Sequence, residues 1–112
     1  MSERSTSLLL DDIMEAAERI ATYTAGMDRA DFISSGMAAD AVVRNLEIIG
    51  EAANRLPTEF TDKHPEIEWR KIIGLRHRIV HDYFGVDLDM IWAIIRRDLP
   101  DFASRIATIE NR

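Results

Sequence analysis

The chain has 112 residues, a net charge of −6 and no cysteine. This length is sufficient for one hydrophobic core and too short for two, and a composition of 46% hydrophobic and 30% charged residues is typical of a folded globular protein. The lack of cysteine excludes a disulfide framework, a thiolate nucleophile and cysteine-ligated zinc or iron–sulfur sites. We therefore predict a single domain over residues 1–112.

No stretch of the sequence has the length and composition of a membrane segment. The longest purely apolar run, Met90 to Ile95, falls far short of the roughly 20 residues that a membrane span requires. Leu8, Leu9 and Leu10 are followed at once by two aspartates, which is not the pattern of a signal peptide. These features predict a cytoplasmic protein that binds no membrane.

Apolar residues recur at three- and four-residue intervals through almost the whole chain, which is typical of amphipathic helices rather than strands. The first predicted helix covers residues 7–25, with Ser7 as its N-cap and Gly26 as its stop signal. A short helical turn follows, capped by Asp28, and it is predicted to bury Phe32.

A long second helix is predicted over residues 37–56, and Pro57 ends it because proline cannot continue a helix. The polar, proline-bounded segment 57–65 is predicted to be a loop with at most a single turn near Glu59 and Phe60. The second helix has an apolar stripe formed by Val42, Leu46, Ile49, Ala53 and Leu56.

A third helix is predicted over residues 66–83, and a fourth, capped by Asp87, runs from Leu88 to the C-terminus. Pro100 lies inside the fourth helix and should kink it near Asp98 or restart it there. Four substantial helices with short connections pack most simply as an antiparallel up-down four-helix bundle. The predicted fold class is therefore all-α, with an extra short helix or a kinked C-terminal helix.

The third helix concentrates positive charge in an otherwise acidic chain. Residues 69–81 contain four lysine or arginine side chains and no acid. At about 100° per residue, Arg76 lies about 40° from Ile72, within the apolar face, whereas His81 lies about 140° from Arg76. A buried arginine keeps its charge and is costly unless it is paired or directed at an anion.

Two interpretations of this cluster stay open. In the first, Arg76 is a structural arginine paired with Glu47 or Glu51 of the second helix, and the histidines are solvated. In the second, this half of the helix faces a cleft at a dimer interface, where several of its faces become usable together. A zinc site at His77 and His81 is disfavoured, because the metalloprotease pattern needs glutamate after the first histidine and this chain has arginine there. We predict no metal and no cofactor.

Arg76, His81 and Tyr83 together form an R-x4-H-x-Y motif, and with it the chain resembles HepT-like toxins of the HEPN-domain ribonuclease superfamily. His77 departs from the asparagine that is usual after the motif arginine in HepT-like sequences. The resemblance extends over nearly the whole chain and includes the segments 46–53 and 69–76, Val86-Asp87, Ile91-Trp92 and Leu99-Pro100.

This resemblance implies an all-α HEPN-like domain that forms a homodimer, with both motifs facing a shared cleft. It also implies metal-independent endoribonuclease activity in a toxin–antitoxin pair. The partner would be a minimal nucleotidyltransferase antitoxin that silences the toxin by transferring AMP to the motif tyrosine, here Tyr83.

Cleavage of RNA without metal uses the 2′-hydroxyl as an internal nucleophile, and it needs a group that titrates near neutral pH and a cation for the charged phosphorane. We assign proton transfer to His81, binding of the scissile phosphate to Arg76, and secondary phosphate contacts to His77 and Arg78. The alternative function is a noncatalytic helical dimer that binds a nucleotidyltransferase. The acidic net charge favours this alternative, because nonspecific RNA binders are usually basic, whereas the complete motif favours the ribonuclease.

Overall fold

The computed structural model describes the backbone of residues 4–81 and 87–110 and the side chains of residues 4–75 and 87–110. All regular structure in these ranges is helical, which confirms the predicted all-α class for the described part of the chain. None of the described helices is both long and apolar enough to cross a membrane. The elements are α1 (Thr6–Tyr23), α2 (Arg29–Ser34), α3 (Gly36–Arg55), α4 (Thr58–Asp62), α5 (Trp69–His81), α6 (Leu88–Ala93), a π-helical turn (Ile94–Asp98) and α7 (Leu99–Glu110).

Polar side chains cap the first two helices. Ser5 Oγ accepts the backbone N–H of Leu8 at the start of α1, so the prediction of Ser7 as the cap was wrong and Ser7 lies within the first turn. Asp28 caps α2 as predicted, and Asp31 reciprocates by accepting the backbone N–H of Asp28. This reciprocal capping box satisfies two backbone donors that the helix itself leaves unpaired.

The ends of α1 and α3 lie close to their predicted positions. α1 ends at Tyr23, two residues earlier than predicted, and Gly26 reverses the chain with a φ of 77°. Glycine adopts this left-handed conformation without steric cost, so Gly26 acts as the predicted stop. α3 lies within one residue of its predicted bounds. The predicted stripe is buried at each of its positions: Val42, Leu46, Ile49, Ala53 and Leu56.

The connection between α3 and α5 is held by an aromatic cluster. The short helix α4 occupies the place where a single turn was predicted, and its Phe60 ring packs on His64 with centroids 4.8 Å apart. Trp69 Nε1 donates to the carbonyl of His64 at 3.1 Å, and the Trp69 backbone N–H bonds the carbonyl of Ile67 in a tight turn. Because Ile67 is buried in this turn, α5 begins at Trp69, three residues later than predicted.

The C-terminal helical run changes its winding just before Pro100. α6 begins after Asp87, whose side chain caps it as predicted. In the following π-helical turn the N–H of Leu99 bonds the carbonyl of Ile94, a step of five residues. The wider turn accommodates the proline ring and its missing donor. The run then continues without a break as α7, so the helix changes its winding at the position where a kink or a restart was predicted.

α3 is the central helix of the domain, because α1 and α5 both pack against it, α7 packs against α1, and α2 bridges α3 and α6. Phe32 of α2 is fully buried and stacks on Trp92 of α6, with ring centroids 5.3 Å apart. An ion pair between Arg29 and Asp89 joins the same two helices. The antiparallel order of the four long helices stays a prediction. Other fully buried side chains of the core are Ile13, Ile20, Val42, Leu46, Ile49, Ile91 and Ile106.

Candidate active site

α5 carries most of the predicted catalytic motif. The described first half of the helix confirms that the face around Ile72 is the buried one. Trp69, Ile72 and Leu75 are buried, and they span a sector of about 120° centred on Ile72. Arg70 and Gly74 lie on the opposite side of the helix and are exposed. The buried sector is the face that packs into the core.

The helix continues through His81, so register alone places positions 76 and 81 about 140° apart. Position 76 falls in the same sector as Ile72, and positions 77, 78 and 81 fall on the other side. The side chains of Arg76, His77, Arg78 and His81, and the whole of Tyr83, lie outside the described residues. Their assigned roles therefore stay predictions.

The acids predicted as partners of Arg76 lie on α3. Glu47 and Glu51 line a groove between α1 and α3 together with Arg44. Glu51 Oε1 also lies 3.4 Å from Arg55 Nε one turn along the same helix. Glu51 is therefore compensated in part by Arg55, and a pairing of Glu47 or Glu51 with Arg76 stays a prediction.

Asn45 is a buried polar residue that the sequence analysis missed. Its side chain is 5% exposed, and Nδ2 donates to the carbonyl of Ala41 at 2.8 Å. Oδ1 has no hydrogen-bond partner among the described residues, and an unpaired buried acceptor costs free energy. The sequence feature that indicates its burial is its position in the apolar stripe of α3, three residues after Val42 and four before Ile49. Asn45 thus offers an unused acceptor on the helix against which α5 packs.

The first turns of α5 carry positive charge that is only weakly compensated. Lys71 Nζ lies 3.7 Å from Glu68 Oε2 and 3.8 Å from Asp98 Oδ2. Exposed pairs at such distances contribute little to stability. Arg70 is exposed and forms no ion pair or hydrogen bond with any residue that the structure describes. Arg70 and Lys71 thus place two positive charges on the first turn of α5, shortly after Glu66 and Glu68.

His64, the histidine outside the motif, belongs to the aromatic cluster around α4. Its ring packs on Phe60, and its Nδ1 lies 3.3 Å from Glu66 Oε2. Over the ranges that the structure describes, no group of three or more histidine and carboxylate side chains is placed to hold a metal ion. The zinc alternative rests on His77 and His81, whose side chains lie outside these ranges.

Comparison with known proteins identifies the class of this helical domain. The family model described as "Ribonuclease HepT-like" matches residues 13–109, which is most of the chain. The chain therefore belongs to the HepT-like ribonuclease family, and the predicted family is confirmed.

Individual relatives match over nearly their full lengths. The chain is 36% identical to the protein named "Putative RNase MJ1380" of Methanocaldococcus jannaschii, over 97% of this chain and 100% of the relative. It is 39% identical to the "Probable ribonuclease HepT" of Thermococcus cleftensis, over 97% of this chain and 99% of the relative. The "Putative RNase TTE0752" of Caldanaerobacter subterraneus is 36% identical over 89% of each chain. No solved structure matches the chain.

Proposed function

We propose that this protein is a metal-independent endoribonuclease in which Arg76 and His81 carry out the cleavage. The observation that carries the proposal is a complete R-x4-H-x-Y motif in a chain that the HepT-like ribonuclease model matches over residues 13–109. The ribonuclease names of full-length relatives at 36–39% identity support RNA as the substrate. The cytoplasm is the compartment in which this activity would meet RNA.

The chemistry is an internal transesterification. The 2′-hydroxyl of one nucleotide attacks the adjacent phosphorus, its proton is removed, and the bond from phosphorus to the 5′-oxygen of the next nucleotide breaks. The products are a 2′,3′-cyclic phosphate and a free 5′-hydroxyl, which takes up a proton. His81 transfers the proton because imidazole titrates near neutral pH, and the planar guanidinium of Arg76 stabilises the charged phosphorane. His77 and Arg78 add secondary phosphate contacts.

The register of α5 supports a cleft built at a homodimer interface. Positions 76 and 81 are about 140° apart on one continuous helix, so the two positions lie on different sides of it. A two-fold dimer supplies each motif twice and allows Arg76 of one protomer to lie near His81 of the other. In this arrangement Arg76 finds its counter-charge in the scissile phosphate.

The direct test is to incubate the purified protein with total cellular RNA in EDTA and to analyse the ends of the fragments. We expect cleavage to persist in EDTA and to leave cyclic phosphates and 5′-hydroxyls, because the 2′-hydroxyl is the nucleophile. Loss of cleavage on chelation, or fragments that carry 5′-phosphates, would contradict the mechanism. A complete lack of cleavage at any protein concentration would favour the alternative of a noncatalytic helical dimer that binds a nucleotidyltransferase.

The proposal extends to control of the activity by a minimal nucleotidyltransferase antitoxin that transfers AMP to Tyr83. Tyr83 lies two residues after His81 in the sequence. An AMP group on its phenol oxygen would add a phosphate charge and a bulky base beside the cleft, and it would compete with RNA for Arg76.

We expect co-expression with such a nucleotidyltransferase to increase the mass of the protein by whole AMP units and to suppress RNA cleavage. Tyr83→Phe should abolish the mass increase, because the acceptor hydroxyl is gone. The chain contains one other tyrosine, Tyr23, which is exposed on α1 and provides the matched control. Mass spectrometry of the intact protein reads both variants. An AMP increment that persists in Tyr83→Phe and disappears in Tyr23→Phe would show that Tyr23 is modified, which would contradict the assignment to Tyr83.

A further inference from the structure

We propose that the groove between α5 and the α6–π-turn segment, which we call the Gly74 groove, binds a nucleotide of the RNA substrate next to the scissile phosphate. The inference deepens the proposed ribonuclease function and rests on it. The groove takes the base on an apolar floor, a backbone phosphate at Arg70 and an amino group of the base at Asp98. Its lining includes Arg70, Gly74, Leu75, Met90, Ile94 and Asp98.

The size and lining of the groove suit a flat, partly apolar ligand. Its volume is about 410 Å³, which lies within the range of small-ligand sites. Leu75 is buried beneath it, and the half-buried Met90 and Ile94 form the wall contributed by the C-terminal run. A base has a wide π-face that packs on such aliphatic and thioether groups, while its edge and its sugar-phosphate stay at the polar rim.

Gly74 is the feature that this chain's own packing does not explain. A glycine inside a helix destabilises it relative to alanine, and Gly74 lies in the middle of α5. A Cβ atom built at this position would meet no atom within 4 Å, so no internal contact requires glycine there. The helix backbone is instead left accessible from the groove. Close approach of a ligand to the helix backbone would explain why glycine, rather than a better helix former, occupies position 74.

The register of α5 places the Gly74 edge of the groove on the same side of the helix as position 81. His81 lies seven residues after Gly74, and seven residues of α-helix return to within about 20° of the same direction. The axial distance is about 10 Å at 1.5 Å per residue. Arg70 lies four residues before Gly74 on the same side. An RNA strand that follows this face of α5 therefore passes from Arg70 over Gly74 to the position of His81.

Charge at the rim of the groove matches a nucleotide in two places. Arg70 is exposed and has no partner among the described residues, so its guanidinium is available for a phosphate. Asp98 closes the π-helical turn with its side chain 35% exposed, and its nearest cation, Lys71, is 3.8 Å away. The carboxylate thus keeps acceptor capacity, and carboxylates accept hydrogen bonds from the amino group of cytosine. The groove is expected to prefer bases with an exocyclic amino group over uracil.

The test measures binding of fluorescent single-stranded RNA by anisotropy, in a His81→Ala background so that cleavage does not interfere. Gly74→Ala should raise the Kd about tenfold, because the new methyl group occupies the open space in which the ligand would approach the helix backbone, while the Tm stays equal or rises. Arg70→Gln should lower the slope of log affinity against log salt by about 0.7, the value for one lost phosphate contact on single-stranded nucleic acid. Asp98→Asn should reduce the preference for oligocytidine over oligouridine.

Matched controls are available on other helices. Gly36→Ala adds a methyl group at another exposed, open helical glycine, and Arg19→Gln removes one exposed positive charge from α1. Both should leave the Kd, the salt slope and the base preference unchanged. Circular dichroism and thermal melting of every variant separate a loss of binding from a loss of folding.

Two outcomes would overturn the proposal. Unchanged RNA binding in Gly74→Ala and Arg70→Gln would show that the groove holds no nucleotide. Conversion of a wild-type dimer to a monomer by Gly74→Ala, measured by light scattering, would show that a second copy of the chain occupies the groove. Failure of the ribonuclease proposal is distinguishable from failure of the groove proposal. If the wild-type protein does not cut RNA but its RNA binding depends on Gly74 and Arg70, the ribonuclease proposal fails and the groove proposal stands.

Discussion

His81→Ala is expected to lower the rate of RNA cleavage in EDTA by about a thousandfold, the typical contribution of a positioned acid–base group. Arg76→Ala should lower it by about a hundredfold or more, because a charge that stabilises the phosphorane is lost. The measurement is the initial rate of cleavage of a defined RNA at saturating protein. His64→Ala is the matched control, since His64 packs on Phe60 outside the motif. Equal cleavage by wild type, His81→Ala and Arg76→Ala would remove both catalytic assignments.

Mixing the two inactive variants tests whether the cleft is composite. If Arg76 of one protomer acts with His81 of the other, a mixed dimer of Arg76→Ala and His81→Ala contains one cleft with both groups intact. After random exchange of subunits, about a quarter of the wild-type activity should return, because half of the dimers are mixed and each has one intact cleft of two. Activity that stays at the level of the single variants would mean that both groups act within one chain.

Phe32→Ala is expected to lower the free energy of unfolding by about 3–5 kcal/mol, the usual cost of removing a fully buried phenylalanine side chain. The ring is 0% exposed, and its loss also removes the stacking contact with Trp92 at 5.3 Å between centroids. A Tm lower by about 10–20 °C should accompany the change in a domain of this size. Thermal melting followed by circular dichroism measures it.

The neighbouring residue provides the control for this prediction. Ile33 lies on the same short helix, α2, but its side chain is 37% exposed. Ile33→Ala should change the free energy of unfolding by less than about 0.5 kcal/mol, as is usual for exposed positions. Similar losses for Phe32→Ala and Ile33→Ala would mean that α2 contributes through its helical structure as a whole rather than through the buried ring.

The all-α class was predictable from the sequence because hydrophobic periodicity depends on the helix repeat and needs no knowledge of tertiary contacts. Local signals that involve neighbouring residues were equally readable: Asp28 and Asp87 cap the helices that follow them, and Pro100 marks a change in winding. The incorrect prediction of Ser7 as the N-cap of α1 shows where local sequence signals are insufficient. Ser5 and Ser7 are equivalent as isolated N-cap residues, so sequence preferences do not separate them.

The start of α5 depended on contacts between segments. Local sequence permits helix from Glu66, but the burial of Ile67 and the bond from Trp69 Nε1 to the carbonyl of His64 hold the preceding residues in a turn. The free energy of these contacts exceeds the small differences in helix propensity among the residues concerned. Asn45 was missed for a related reason, since its burial depends on what packs against α3.

The sequence by itself determined the family and the helical class, because the R-x4-H-x-Y motif and the apolar stripes lie within short stretches of chain. The catalytic assignments of the motif residues stay predictions. The existence and the lining of the Gly74 groove depend on the tertiary structure alone. Gly74 and Asp98 are far apart in the sequence and line one cavity only because α5 packs beside the C-terminal run, whose π-helical turn positions Asp98. Periodicity describes one helix at a time, whereas a groove is a property of the packing of two.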